Sequence, residues 1–357
     1  MTGIREACVF PVPVCDKAIT SLLEEVYFKT SSCTFVSSSK PFNSINLLVV
    51  SLSFEFIRIY FSILYNEVME IKKVVPSGYC KGVVNAIRLA KKTKEDNPDT
   101  PVYVLGMLVH NSFVTKELSD LGIITLDDTF TSKSELLDQI DEGIVIFTAH
   151  GISDAIKDKA VSKGLRYVDA SCVDVLKTQN IIRQYLKQGY DVIYFGKKNH
   201  PEAEAVLSIS EKIHLVCNSE MLKELHIDND RIFLTNQTTM SYLELQGLFK
   251  EVQEKYPQVI IEEEICNATS SRQMAIANLQ DCDVLYVVGD VKSNNTAKLV
   301  DIGKKHGIKK VLLIQDYNDI DLEDVKDAGH VYVTAGASTP PKLIEEVISY
   351  LRAKAGQ

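Results

Sequence analysis

The sequence contains no tryptophan, no CxxC pair, no GxGxxG turn and no GxxxxGK[ST] loop. Without the glycine-rich fingerprints, dinucleotide and ATP-type phosphate cradles have no support. The missing tryptophan excludes nothing. Eight cysteines are spread through 357 residues without the dense spacing of a secreted disulfide framework, so reduced thiols or metal ligands are expected. Positive charge is also short: 39 Lys and Arg stand against 48 Asp and Glu, a net charge of -9. That balance disfavours nucleic acid as the main partner, because phosphate backbones demand a basic footprint. An anionic ligand must therefore meet a local, built site. With 45% hydrophobic and 24% charged residues, the composition is that of a folded, cytoplasmic enzyme rather than a disordered or membrane-embedded chain. The length allows two or three domains.

Residues 1–68 differ from the rest. They hold Cys8, Cys15 and Cys33, a Ser37-Ser38-Ser39 run, a single glycine and an apolar stretch from Ile45 to Tyr65. That stretch is long enough to span a membrane, but Glu55 and Arg58 near its centre would each cost roughly 2.5–3.5 kcal/mol on insertion scales. No membrane association is expected, and a small-residue cleavage pattern is missing. The segment is read as an upstream extension outside the fold, with a targeting segment or an extra folded element as alternatives. Met69 then opens a first short strand, Met69 to Val75, leading into a glycine-containing turn.

From Met69 onward, β-branched runs alternate with amphipathic helical patterns. Strands are predicted at Val102–Leu105, Ile144–Phe147, Asp191–Phe195, Ile232–Leu234, Val284–Val288, Val311–Ile314 and Val331–Val333. Helices are predicted at Asp174–Gln188, Tyr242–Tyr256, Asn294–His306 and Lys342–Ala353. This is the βαβ signature of parallel sheets, and three doubly wound α/β units fit the count. A second rhythm lies over it. Cys80 and Cys172 are 92 residues apart and Cys172 and Cys266 are 94 apart, each after a strand and before a helix. An isolated cysteine is more often a buried core residue. Equal spacing in a shared context instead suggests three units that each aim one thiolate at a common axis.

In open α/β sheets ligands bind beyond the carboxyl ends of strands. The unusual polar residues gather there: His110-Asn111, Thr148-Ala149-His150-Gly151, His200-Pro201-Glu202, Gln237-Thr238-Thr239, Ser293-Asn294-Asn295 and Thr334 to Ser338. Hydroxyls, amides and free backbone N–H groups at helix starts suit anion binding, and a small diphosphate matches better than a nucleotide. Ser338-Thr339-Pro340-Pro341 has the cap-then-proline form of a helix start. Glu202, on another helix start, is a candidate proton donor, with a plain N-terminal carboxylate as the alternative. Glu204 faces elsewhere, and His214, His226, His306 and His330 lack any such context.

Together these motifs, with Gly78-Tyr79-Cys80-Lys81-Gly82-Val83, Asp169-Ala170-Ser171-Cys172 and Ile265-Cys266-Asn267-Ala268-Thr269, resemble the 4-hydroxy-3-methylbut-2-enyl diphosphate reductase (LytB-type) family over about Met69 to Arg352. The resemblance implies a pseudo-threefold trefoil of three doubly wound α/β domains, 82–171, 172–264 and 265–357 with 69–81, around one 4Fe-4S cluster. It implies Cys80, Cys172 and Cys266 as the cluster's protein ligands, leaving one iron open to the substrate hydroxyl. By position in the matching motifs, His110, His150, His200, Ser293, Asn294, Asn295 and Ser338 would hold the diphosphate. Glu202 would donate a proton, Thr238 would hydrogen-bond near the hydroxyl of the substrate and relay protons, and His200 would act beside them. The implied reaction is reductive removal of the hydroxyl, the last step of the non-mevalonate isoprenoid pathway, giving isopentenyl or dimethylallyl diphosphate. Its electrons would come from a ferredoxin or flavodoxin. Two departures from the family pattern stand out: Asn294 replaces a usual serine, and Val173 replaces the usual proline after the second cysteine. Cys217 and Cys282 match no motif and are read as structural.

Three rivals remain open at this level. A cluster-dependent hydratase-type lyase would need no external electrons, and a binding protein for phosphorylated ligands would carry no iron. A three-cysteine zinc site is the third, although thiolates from separate domains suit a larger group than one tetrahedral ion.

Overall fold

The computed structural model describes residues 69–356; the expected upstream extension, 1–68, lies outside them. Three four-stranded sheets carry the fold, and every strand pairing in them is parallel. The first holds β2 (Val102–Leu105), β3 (Ile123–Leu126), β4 (Ile144–Phe147) and β5 (Arg166–Asp169) in the order β3-β2-β4-β5. The second holds β6 (Asp191–Phe195), β7 (Ile213–Val216), β8 (Ile232–Asn236) and β9 (Ile260–Ile261) in the order β7-β6-β8-β9. In the third, β1 (Glu70–Lys73) joins β10 (Val284–Val288), β11 (Lys310–Ile314) and β12 (His330–Ala335) in the order β1-β12-β10-β11.

These orders are one topology used three times. Within each sheet the second strand in sequence flanks the first, the third lies on the other side, and a fourth closes that edge. In the third sheet β1, from the opposite end of the described chain, takes the fourth place, pairing Ile71 with Val331 and Lys73 with Val333. Each fourth strand leads to one cysteine: β5 to Cys172, β9 to Cys266 and β1 to Cys80. The order in which strands are added reverses between first and third strands, and in open parallel sheets such a switch point opens a crevice.

Alternate side chains of the central strands enter separate cores on the two faces of a sheet. Ile144 and Ile146 pack with Val102, Val104 and Ala86, whereas Val145 and Phe147 pack with Leu105, Leu137 and Ile140. Val284, Tyr286 and Val288 meet the helix Pro341–Lys354 through Ile344, Val347 and Leu351, while Leu285 and Val287 meet Leu299 and Ile302. All seven strands predicted after the first are present, and so are the four helices, with ends differing by a residue or two. The strands without a prediction, β3, β5, β7 and β9, are all edge strands, paired on one side only. The Ser338-Thr339-Pro340-Pro341 reading is corrected in detail. Pro340 is the N-cap and Pro341 the first helical residue, while the Ser338 and Thr339 hydroxyls donate to the carbonyls of His110 and Val288. No helix among the described residues is long and apolar enough to cross a membrane.

Candidate active site

Cys80, Cys172 and Cys266 are the N-caps of the helices Lys81–Asp96, Val173–Lys187 and Asn267–Ala277. Free N–H groups and the positive end of the dipole favour a thiolate at such positions. The backbone N–H of each cysteine donates to a carbonyl in the loop after the third strand of its sheet: Cys172 to Ala149 at 2.9 Å, Cys266 to Thr238 at 3.1 Å and Cys80 to Ala337 at 3.0 Å. The three thiols are thus pinned beside His150, Thr238 and Ser338. All three are free and border one common cavity. A Cβ on Gly82 would lie 2.7 Å from Cys172 Sγ and 3.7 Å from Cys80 Sγ, so glycine is what keeps the space between those thiols open. Burial pushes the Cys172 thiol up to about 11 and raises Cys266 as well. Among the described residues no group of three His, Cys, Asp or Glu side chains is gathered closely enough to hold a single metal ion.

The rest of the cavity comes from the loops after the first and third strands of each sheet. His110 follows β2 and His150 follows β4, their rings stacked with centroids 4.1 Å apart. His200, after β6, stands edge-on to both at 5.5 Å and 5.7 Å. Burial is the first cause that holds all three imidazoles neutral: His110 falls to about 4, His200 to about 3, and His150 lies well below its ordinary value. His200 Nδ1 accepts from Glu202 N at 3.2 Å, which leaves Nε2 of the neutral ring as a donor.

Glu202 is the second residue of the short helix Pro201–Leu207 and is 1% exposed. Its carboxylate accepts from Thr238 N at 2.8 Å, Thr238 Oγ1 at 3.0 Å and the Tyr194 hydroxyl at 3.4 Å. Burial outweighs these bonds and raises its pKa to about 7. A buried acid titrating near neutrality can both give and take a proton. Glu204 instead faces out, 3.5 Å from Lys133.

From the third sheet, Ser293 caps the helix Asn294–Lys305 by accepting from Thr296 N at 3.3 Å, which leaves its hydroxyl hydrogen free to donate. Both polar atoms of the Asn295 amide, and His150 Nδ1, are buried without a partner. Such groups are costly unless a ligand satisfies them. Asn294, by contrast, donates to the carbonyl and hydroxyl of Thr239, both at 3.1 Å. Asp290 Oδ2 accepts from Ser112 N at 3.0 Å beside His110. Every site residue expected from the sequence borders this cavity, whereas His214, His226, His306, His330, Cys217 and Cys282 do not. Thr269 lies in the Cys266 motif but was given no role, whereas Asp174 and Tyr194 carried no signal in the sequence, because they reach the site only through helix phase and strand face.

A family model for LytB protein matches residues 71–352, nearly the whole described chain. The chain belongs to the LytB family. Curated 4-hydroxy-3-methylbut-2-enyl diphosphate reductases of that family include one from Geobacillus sp. (strain WCH70), 46% identical over 286 residues, covering 79% of this chain and 90% of the relative. One from Listeria monocytogenes serovar 1/2a is 45% identical, covering 79% and 86%. Among solved structures, the E-1-hydroxy-2-methyl-but-2-enyl-4-diphosphate reductase from Plasmodium falciparum superposes with a TM-score of 0.73 at 29% identity, covering 79% of this chain and 87% of that one. The LytB trefoil of three α/β units therefore describes this chain.

Proposed function

We propose that this chain reduces 4-hydroxy-3-methylbut-2-enyl diphosphate to isopentenyl and dimethylallyl diphosphate, with Cys80, Cys172 and Cys266 holding one 4Fe-4S cluster. The observation that carries the reading is the convergence on one cavity of three free thiols, three neutral imidazoles and a buried carboxyl bonded to a threonine hydroxyl. The residues fit the cluster: the thiols come from three separate helix starts, and Gly82 leaves the gap between two of them unfilled. When bound, such a cluster would relay electrons one at a time from an external carrier and would offer an iron without a protein ligand as a Lewis acid for the hydroxyl.

The chain's own residues do the rest. His110, His150 and His200, with the free donors of Ser293 and Asn295, bind the diphosphate and set the allylic alcohol toward the thiols. Asn294 and Ser338, bonded to Thr239 and to the His110 carbonyl, hold those loops against the anion. Glu202 delivers a proton through Thr238 Oγ1 to the departing hydroxyl, which leaves as water, and a second proton goes to one end of the allyl system. Two electrons and two protons balance the step, and an external one-electron carrier such as a ferredoxin or flavodoxin would supply the electrons.

The test is an anaerobic assay with the diphosphate substrate and a reduced viologen dye. Substrate-dependent dye oxidation with formation of both products is expected. Turnover without any reductant would assign the site to a hydratase-type lyase instead, and a colourless, iron-free protein that binds substrate without turnover would leave only a binding role.

A further inference from the structure

Arg272, on the helix that follows Cys266, is 4% exposed and has no carboxylate partner among the described residues. A guanidinium withdrawn from water is costly unless its donors and its charge are met. Its donors are met in an unusual place. Nη1 donates to the carbonyl of Ala268 at 2.6 Å, and Nη2 donates to the carbonyl of Gly78 at 2.5 Å, 194 residues away. Ala268 lies two residues after Cys266, and Gly78 two residues before Cys80. One planar fork therefore bridges the two chain segments that present those thiols, and Nε is left without a partner. The acidic groups that act on the guanidinium are the thiols of Cys80 and Cys266. Its charge is thus placed where an anionic group bound by those cysteines would satisfy it.

We propose that Arg272 is a positioning residue that clamps the Cys80 and Cys266 arms at cluster spacing and supplies the buried positive charge facing the cluster. The proposal rests on the cluster reading given above. A cluster held by three thiolates is net negative and becomes more negative when reduced. A fixed cation beside it stabilises the reduced form more than the oxidised one, and charge and hydrogen bonding are among the factors that set such potentials. Arginine suits the task because its fork spans two carbonyls at once and keeps its charge when buried; lysine would keep the charge but only a single point of attachment.

The experiment compares full-length wild type, Arg272→Gln and Arg272→Lys, each loaded anaerobically with iron and sulfide. Three quantities are read: the midpoint potential by a redox titration followed by electron paramagnetic resonance, the rate of iron loss to a chelator, and circular dichroism of the metal-free chains. Arg272→Gln is expected to fold, to shift the midpoint to more negative values and to lose iron faster. Arg272→Lys is expected to recover the potential but not the slow iron loss. Unchanged potential and unchanged iron loss in Arg272→Gln overturn the proposal. A lysine variant with the same potential as the glutamine variant overturns the charge role. Loss of fold in both metal-free variants overturns it in favour of a purely structural arginine. Wild type that takes up no iron would instead refute the cluster reading underneath, and that outcome is seen before any variant is compared.

Discussion

At the scale of single residues, Glu202 concentrates the chemistry. Burial raises its pKa to about 7 while Thr238 and Tyr194 oppose the rise by bonding the carboxylate form. The form needed as a donor is protonated, so turnover should fall as pH rises through about 7. Glu202→Gln should keep iron and substrate binding yet lose on the order of 10²–10⁴-fold in kcat, the usual worth of a positioned general acid; an unimpaired rate removes Glu202 from the mechanism. Tyr194→Phe removes one bond that favours the charged form. It should therefore raise the Glu202 pKa and move the alkaline limb of the pH–rate profile to higher pH. The three imidazoles give a second prediction. They are neutral because they are buried, with His110 at about 4 and His200 at about 3, and a nearby diphosphate would favour their charged forms. Binding of inorganic diphosphate should take up protons and weaken as pH rises. Calorimetric titration in two buffers of different ionisation enthalpy measures this, and identical apparent enthalpies would refute it.

At the scale of elements, the cysteine-capped helices depend on close approach. Gly82 is the second residue of its helix and has no left-handed backbone that would need glycine, so Gly82→Ala should leave the metal-free fold intact. Its Cβ, 2.7 Å from Cys172 Sγ, should nonetheless displace that thiol and lower the iron retained after reconstitution. Full iron retention with normal activity would show that the gap is not needed. Legibility in the sequence also divides by element. The central strands Ile144–Phe147 and Val284–Val288 are buried on both faces and read as unbroken apolar runs. The edge strand Arg166-Tyr167-Val168-Asp169 is exposed at its first two positions and gives no such run, and β9 is only two residues long. Such edge strands are held by a neighbour's hydrogen bonds more than by their own burial, so these two are not announced by their composition, whereas the apolar edge strand Lys310–Ile314 is.

At the scale of the whole molecule, one group bound by three sheets should couple their stabilities. Anaerobically prepared protein should hold about four irons per chain, as a single 4Fe-4S cluster requires. Removing that iron should lower the melting temperature, because a ligand bound only by the folded state adds its binding free energy to folding. Cys172→Ser should lose iron and activity together. A variant that keeps a full cluster would exclude Cys172 from the ligand set.

The sequence by itself determined the alternation of strands and helices, the near-equal spacing of Cys80, Cys172 and Cys266, and the polar residues at strand ends. These are local properties, carried by burial periodicity and by the residue types that chains place after a strand. Only the tertiary structure decided that β1 closes the third sheet as its fourth strand, that each cysteine N–H is tied to the loop bearing His150, Thr238 or Ser338, and that Arg272 joins Gly78 to Ala268. Those contacts link residues far apart in the chain, and no local pattern encodes which distant carbonyl a donor will meet.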